Sequence, residues 1–197
     1  MTKKIGVVLA GCGVNDGSEI HEAVATLLAL DQRGAQAIAM APNIEQMHVI
    51  DHLAGAPAEG QSRNVLTEAS RIVRGEIEDI ATITADDLDA LIFPGGFGAA
   101  KNLCDFAVNG AQMSINPDVE RLIKAMKQAD KPQGFICIAP ALAAKALGAK
   151  HQVCAVDEIC FDQKHKVVST PAYMLGPSIA HVHRGIDKLV AKVLDLC

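Results

Sequence analysis

Apolar residues follow two rhythms in this chain: short unbroken runs alternate with longer stretches spaced every three or four positions. Residues 4–10 form a β-branched apolar run that reads as a buried strand ending in a glycine-rich turn, residues 11–17. Ser18 is the expected N-cap of a helix with Ile20, Val24, Leu27 and Leu28 along one stripe, closed by Gly34. A short strand at 37–40 stops at Pro42, and 44–53 and 65–73 both carry helical spacing. Residues 90–93 predict a buried strand, 118–129 an amphipathic helix with Val119, Leu122, Ile123 and Met126 inward, 135–138 a strand and 140–147 the helix after it. Residues 153–162 and 166–170 can pair as a hairpin, and 185–196 close the chain as a helix. Strand alternating with helix predicts an α/β fold, a doubly wound, mostly parallel sheet with helices on both faces, as one domain over 1–197. Its chemistry then belongs at the carboxyl ends of the strands.

Composition narrows the classes of function. The chain has 197 residues, 50% of them apolar and 21% charged, with no Trp, one Tyr and five Phe. Its core must therefore be aliphatic, as in a sheet covered on both sides. A formal charge of −5 argues against a protein that grips nucleic acid or anionic lipid. The apolar runs break at Pro, Gly or Lys before reaching membrane-spanning length, so no membrane partner is expected. Lys3-Lys4 followed by an apolar run and Gly11-Cys12 resembles a lipoprotein signal, but its apolar core ends at Ala10, short for the about 7–15 residues such cores need. The six cysteines contain no C-x-x-C pair, which suits free thiols in a reducing cytoplasm.

Three local features carry possible chemistry. Gly134-Phe135-Ile136-Cys137-Ile138-Ala139-Pro140 places a thiol where a strand turns directly into a helix. Such an elbow projects the side chain from the sheet, and a helix N-terminus favours thiolate over thiol; equally, Cys137 can be a small buried hydrophobe. Pro94-Gly95-Gly96 ends another strand with unhindered amides that suit a developing oxyanion, with the Ile138 N–H as second donor, or it simply turns the chain. Glu22 lies one helical turn beyond Ser18 at the edge of the first strand. In a dry pocket its carboxyl would hold a proton near neutral pH, whereas first-turn acids such as Glu19 and Glu22 are also favoured by the helix dipole alone.

Other patterns are weaker. The G-x-G-x-x-x-G spacing from Gly11 departs from a dinucleotide loop, and the second strand ends in Ala41-Pro42 without an acid for a ribose. His181 with His183, and His48 with His52, lack an obvious third ligand and read as helix-surface residues, so neither metal nor cofactor is expected.

In combination and order these stretches resemble the ThiJ/PfpI branch of the class I glutamine amidotransferase-like superfamily, a flavodoxin-like fold. The likeness is strongest to the ElbB family of enhancing-lycopene-biosynthesis proteins, also described as glyoxalases. It is carried by Ile5-Gly6-Val7, Gly11-Cys12-Gly13, residues 16–24, Arg63-Asn64-Val65-Leu66, residues 94–103, residues 134–140 and Thr170-Pro171-Ala172-Tyr173-Met174-Leu175. The resemblance implies Cys137 as nucleophile, Glu22 as the acid hydrogen-bonded to its thiol, and Gly96 and Ile138 as oxyanion N–H donors. It implies a cytoplasmic homodimer that turns a small aldehyde, glyoxal, into glycolate without glutathione or metal, with repair of glycated proteins suggested for the family as well. A redox or stress regulator, or an amidotransferase-like scaffold linked to isoprenoid biosynthesis, are the alternatives. Two departures stand out. No His-x-Glu pair follows Thr170, which disfavours a glutaminase, and Ile138 replaces the His that follows the nucleophile in PfpI-type proteases. The chain also passes from Leu147 almost directly to its next strand, where ElbB-like relatives insert a strand and helix that bring a His toward the cysteine.

Overall fold

The computed structural model describes residues 2–197. In chain order its elements are β1 (Lys4–Val8), α1 (Ile20–Gln32), β2 (Gln36–Ala41), β3 (Ile50–Asp51), β4 (Ala56–Pro57), α2 (Val65–Ala69), β5 (Glu78–Asp79), β6 (Ala90–Phe93), α3 (Phe97–Lys101), α4 (Phe106–Asn109), α5 (Pro117–Gln128), β7 (Gln133–Ile136), α6 (Pro140–Leu147), β8 (Cys160–Asp162), β9 (Val167–Thr170) and α7 (Ile179–Asp195). Seven strands form one sheet in the order β5-β2-β1-β6-β7-β9-β8. All neighbours run parallel except β8, which returns antiparallel on β9 from Cys160↔Ser169 to Asp162↔Val167.

Strand residues alternate between two cores. Ile5, Val7, Ile92, Ile136 and Val168 face a layer closed by α1 and α7, through Ala23, Leu30, Ile186, Leu189 and Val193. Val8, Met40, Leu91, Phe93 and Phe135 face the opposite layer, closed by α5 and α6 through Val119, Leu122, Ile123, Met126 and Leu142. Phe93 and Phe135 are register partners on β6 and β7, and their rings stack with centroids 5.0 Å apart. Every residue of β6 and β7 is buried, as expected of parallel strands covered on both faces. The α/β, doubly wound reading holds. The strand order turns back on either side of β1, with β2 on one flank and β6 on the other, so the crevice of such a sheet falls at the carboxyl ends of β1 and β6.

Several boundaries differ from those the sequence predicts. Residues 44–53 do not form a helix; they run to the small β3–β4 hairpin, Ile50↔Pro57 and Asp51↔Ala56. Their apolar positions are used piecemeal: Val49 is buried, whereas Leu53 is fully exposed. The helix expected over 65–73 keeps only Val65–Ala69 before turns ending at Gly75, where a Ser70–Gly75 backbone bond reverses the chain. Residues 153–159 are irregular, leaving Cys160–Asp162 as the strand, while the last helix begins at Ile179 rather than 185. No helix of the described residues is long and apolar enough to cross a membrane.

Candidate functional site

The β7 ladder delivers Cys137 to the sheet edge. Ile136 pairs with Thr170, and the Cys137 N–H then donates to the Thr170 carbonyl at 3.0 Å. At Cys137 the backbone turns to φ 61°, a left-handed conformation that costs a non-glycine residue about 1–2 kcal/mol. Ala139 N–H then closes back on the Ile136 carbonyl and α6 starts at Pro140, whose ring is suited to the first helical position. The strained elbow anticipated from the sequence is present, and Cys137 is half-buried.

The loop after β6 has to come very close. A Cβ on Gly95 would lie 2.5 Å from the Cys137 Cβ and 2.7 Å from Glu22 Oε2. Gly96 sits at φ +94°, and a Cβ there would run into the Glu19 amide and the Gly17 carbonyl. Only glycine lets β1, β6 and β7 converge in this way.

Glu22, on the first turn of α1, is fully buried. Its Oε2 accepts the Gly95 N–H at 2.9 Å and its Oε1 accepts the Tyr173 N–H at 3.3 Å. Its remaining polar neighbour is the Cys137 thiol. Burial, with the nearby Glu19 carboxylate adding to it, pushes the Glu22 carboxyl up to about 7 against the pull of the Tyr173 and Gly95 amides. The helix-dipole alternative applies to its neighbour: Glu19 Oε2 accepts the Glu22 N–H at 2.7 Å and caps α1. Ser18 is not that cap. Its buried hydroxyl accepts the Ala10 N–H at 2.8 Å, tying the turn back to the end of β1.

The expectation of a stabilised thiolate is overturned. Burial pushes the Cys137 thiol up to about 12, and the adjacent Glu22 charge pushes the same way. The Gly96 and Ile138 N–H groups both point at the sulfur and pull it down, but they are outweighed. Helix α6 begins three residues later, so its dipole acts too far off to reverse this. Near neutral pH the sulfur therefore carries its proton, while the Glu22 carboxyl beside it is within reach of titration. The two amides expected to serve an oxyanion lie against the sulfur itself.

Sequence reasoning passed over Tyr173 and His21. Tyr173 follows Ala172, which sits at φ 45°, and besides donating its amide to Glu22 it places its hydroxyl 2.8 Å from His21 Nδ1. His21 is exposed and also lies 3.9 Å from Glu19 Oε1. The only signal was the 170–175 stretch, singled out without a role. The remaining candidates are not drawn into the site. His52 lies beyond β3, not on a helix; its Nε2 accepts the Asn15 N–H at 3.2 Å. His181 pairs with its own helix cap, Ser178, at 2.8 Å. The Gly11–Gly17 turn is held by side chains, with Asn102 Nδ2 donating to the Ala10 and Asp16 carbonyls and Asp16 Oδ2 accepting the Ile50 N–H.

No family model matches the chain. It is 49% identical to a human mitochondrial protein, glutamine amidotransferase-like class 1 domain-containing protein 3, over 222 aligned positions that cover 98% of this chain and 83% of that protein. The chain belongs to the glutamine amidotransferase-like class 1 domain family. A crystal structure of an isoprenoid biosynthesis protein with an amidotransferase-like domain from Ehrlichia chaffeensis shares 32% identity with this member, at a TM-score of 0.93 covering 98% of this chain and 100% of that one. A DJ-1 superfamily protein of Salmonella typhimurium, at 18% identity and a TM-score of 0.57 over 98% of this chain and 91% of that one, shares the fold. The 222 aligned positions exceed the 197 residues of this chain, so the human relative carries residues that this member lacks.

Proposed function

We propose that this protein is an ElbB-type thiol enzyme acting on small dicarbonyls such as glyoxal, with Cys137 as nucleophile and Glu22 as general base and acid. The observation that carries the reading is the isolation of one carboxyl group, raised to about 7, against one thiol at a strained elbow. A structural cysteine needs no such neighbour, and a group that titrates near neutrality is suited to passing a proton in both directions.

Glu22 takes the thiol proton as Sγ adds to one aldehyde carbon and passes it to the carbonyl oxygen, giving a hemithioacetal and leaving Glu22 ionised again. As that carbon becomes tetrahedral, the Gly96 and Ile138 amides, which lie against the sulfur, are placed beside its oxygen. Glu22 then removes the hydrogen from the sulfur-bearing carbon and returns one to the neighbouring carbon through an enediol. The product is a glycolyl thioester, which water hydrolyses to glycolate and the free thiol. Glyoxal plus water gives glycolic acid, with no outside oxidant or reductant.

The test is glycolate formation from glyoxal by the wild type, Cys137→Ser and Glu22→Gln. Both variants are expected to lose at least about a hundredfold in kcat/KM, the usual worth of a general base. Equal rates for all three would end the reading.

A further inference from the structure

The segment between α6 and β8 holds a second pair of sulfurs outside this site. Cys154 and Cys160 are both half-buried, and Cys160 is among the groups that raise the Cys154 thiol. Cys160 Sγ reaches back to within 3.8 Å of the carbonyl oxygens of both Gln152 and Val153, the two residues directly before Cys154. The backbone between the sulfurs is held at fixed points. The Glu158 carbonyl accepts the Thr170 hydroxyl at 2.9 Å, the Glu158 carboxylate meets Lys188 Nζ at 2.6 Å, and Gly185 packs against the Val156 carbonyl. Thr170 is also the residue whose carbonyl receives the Cys137 N–H, so this strap is one hydrogen bond removed from the elbow.

We propose that Cys154 and Cys160 are a reversible redox pair that closes to an intramolecular disulfide on exchange with a low-molecular-weight disulfide of the glutathione class. One cysteine, as thiolate, attacks a sulfur of glutathione disulfide and expels one glutathione thiolate, leaving a mixed disulfide. The other cysteine then attacks the protein-side sulfur and expels the second glutathione. The two protein thiols lose two electrons and two protons, and two glutathione thiols gain them. Access, which this exchange requires, is met at both positions, and Cys160 Sγ lies against the residue before Cys154, which brings the second sulfur near for the second step. Burial, then Cys160, pushes the Cys154 thiol up to about 11, so the exchange speeds up as pH rises.

The sequence supplies a clean readout, because trypsin cleavage after Lys150 and Lys164 releases residues 151–164 as one peptide holding both cysteines and no other. The reduced full-length protein is exposed to rising ratios of glutathione disulfide, quenched with iodoacetamide and digested. The expected result is that this peptide becomes lighter by two hydrogens and unlabelled before Cys12, Cys104, Cys137 or Cys197 is modified, and that dithiothreitol restores its labelling. In Cys160→Ser the peptide is expected never to lose the two hydrogens, while Cys154 carries glutathione or the alkyl group singly. The proposal is overturned if both cysteines remain alkylated once another thiol has reacted or at the highest ratio. It is equally overturned if each carries its own glutathione, or if either is joined to a different cysteine.

Discussion

The elbow after β7 and the strap after α6 both present half-buried thiols, and in both the proton is held more tightly than in a free cysteine, yet their neighbours prepare them for different reactions. Cys137 is pushed to about 12 by burial and then by a carboxylate, so the group nearest its sulfur is a base. Cys154 is pushed to about 11 by burial and then by another thiol, so the side chain that acts on its sulfur most is a second cysteine. The first arrangement suits addition to a carbonyl and the second suits exchange. The difference comes from packing. The elbow lies where three central strands and α1 converge, whereas the strap lies at the rim, pinned at Val156 and Glu158 and free between.

The sharpest way to break this contrast is to crowd the elbow. Gly96→Ala would add a Cβ at φ +94° against two backbone groups, the Glu19 amide and the Gly17 carbonyl, neither of which can rotate away. Left-handed strain and overpacking together cost about 3 kcal/mol or more. Urea unfolding is expected to show a loss of that size, and failure of the variant to fold would be the extreme of the same result. A loss below about 1 kcal/mol would mean that the convergence at the strand ends is looser than these distances indicate.

The next effect is a dependence on pH. Glu22 has an ordinary value of 4.5 and is raised in the folded protein to about 7. Between those values the folded protein binds the proton that the unfolded chain has released, so stability falls as pH rises from about 4.5 to about 7. It is fully lost above that, by up to about 3 kcal/mol. Denaturant unfolding across this window is expected to show that slope in the wild type and a flatter curve in Glu22→Gln. The same substitution removes the charge that holds the Cys137 proton, so iodoacetamide labelling of Cys137 at pH 8 is expected to speed up about tenfold for each unit by which the thiol falls. Faster labelling with slower turnover would identify Glu22 as a base and not a scaffold. Slower labelling would contradict the order of charges described here.

How much of this was legible in the sequence follows from how local each cause is. The buried runs of β6 and β7, the glycine turn after β6 and the Pro140 helix start are set by neighbouring residues, and these elements fall where the pattern places them. The raised carboxyl of Glu22 was one of two open readings, the other being an acid favoured by the helix dipole, because first-turn position alone does not say whether the side chain enters the crevice. The sign at Cys137 was misjudged because helix-dipole reasoning counts only the helix that follows. The burial that reverses it, and the carboxylate 115 positions earlier that adds to it, are both set by the folded packing. Tyr173 was invisible in its role because it acts through a backbone amide that any residue carries. Residues 44–53 kept helical spacing without becoming a helix, since the buried Val49 and the pairing of Ile50 with Pro57 were decided by contacts outside that window.

The smallest expected effect belongs to the strap and completes the comparison. Gly148, which ends α6, has φ +69°, close in hand to Gly96, but a Cβ there would meet nothing within 4 Å. Its N–H satisfies the Ala143 and Ala144 carbonyls, a bond that alanine retains. Gly148→Ala therefore meets only the intrinsic cost of a left-handed alanine, about 1 kcal/mol. Urea unfolding is expected to report a loss of that order, with Cys137 labelling unchanged and closure of the Cys154–Cys160 pair retained. The gap between the two losses then combines the packing of the elbow with its backbone, since Gly96 at ψ 161° lies in a region almost reserved for glycine and Gly148 at ψ 25° lies in the left-handed helical one. Equal losses would mean that neither the crowding nor the backbone at Gly96 adds a constraint beyond that at Gly148.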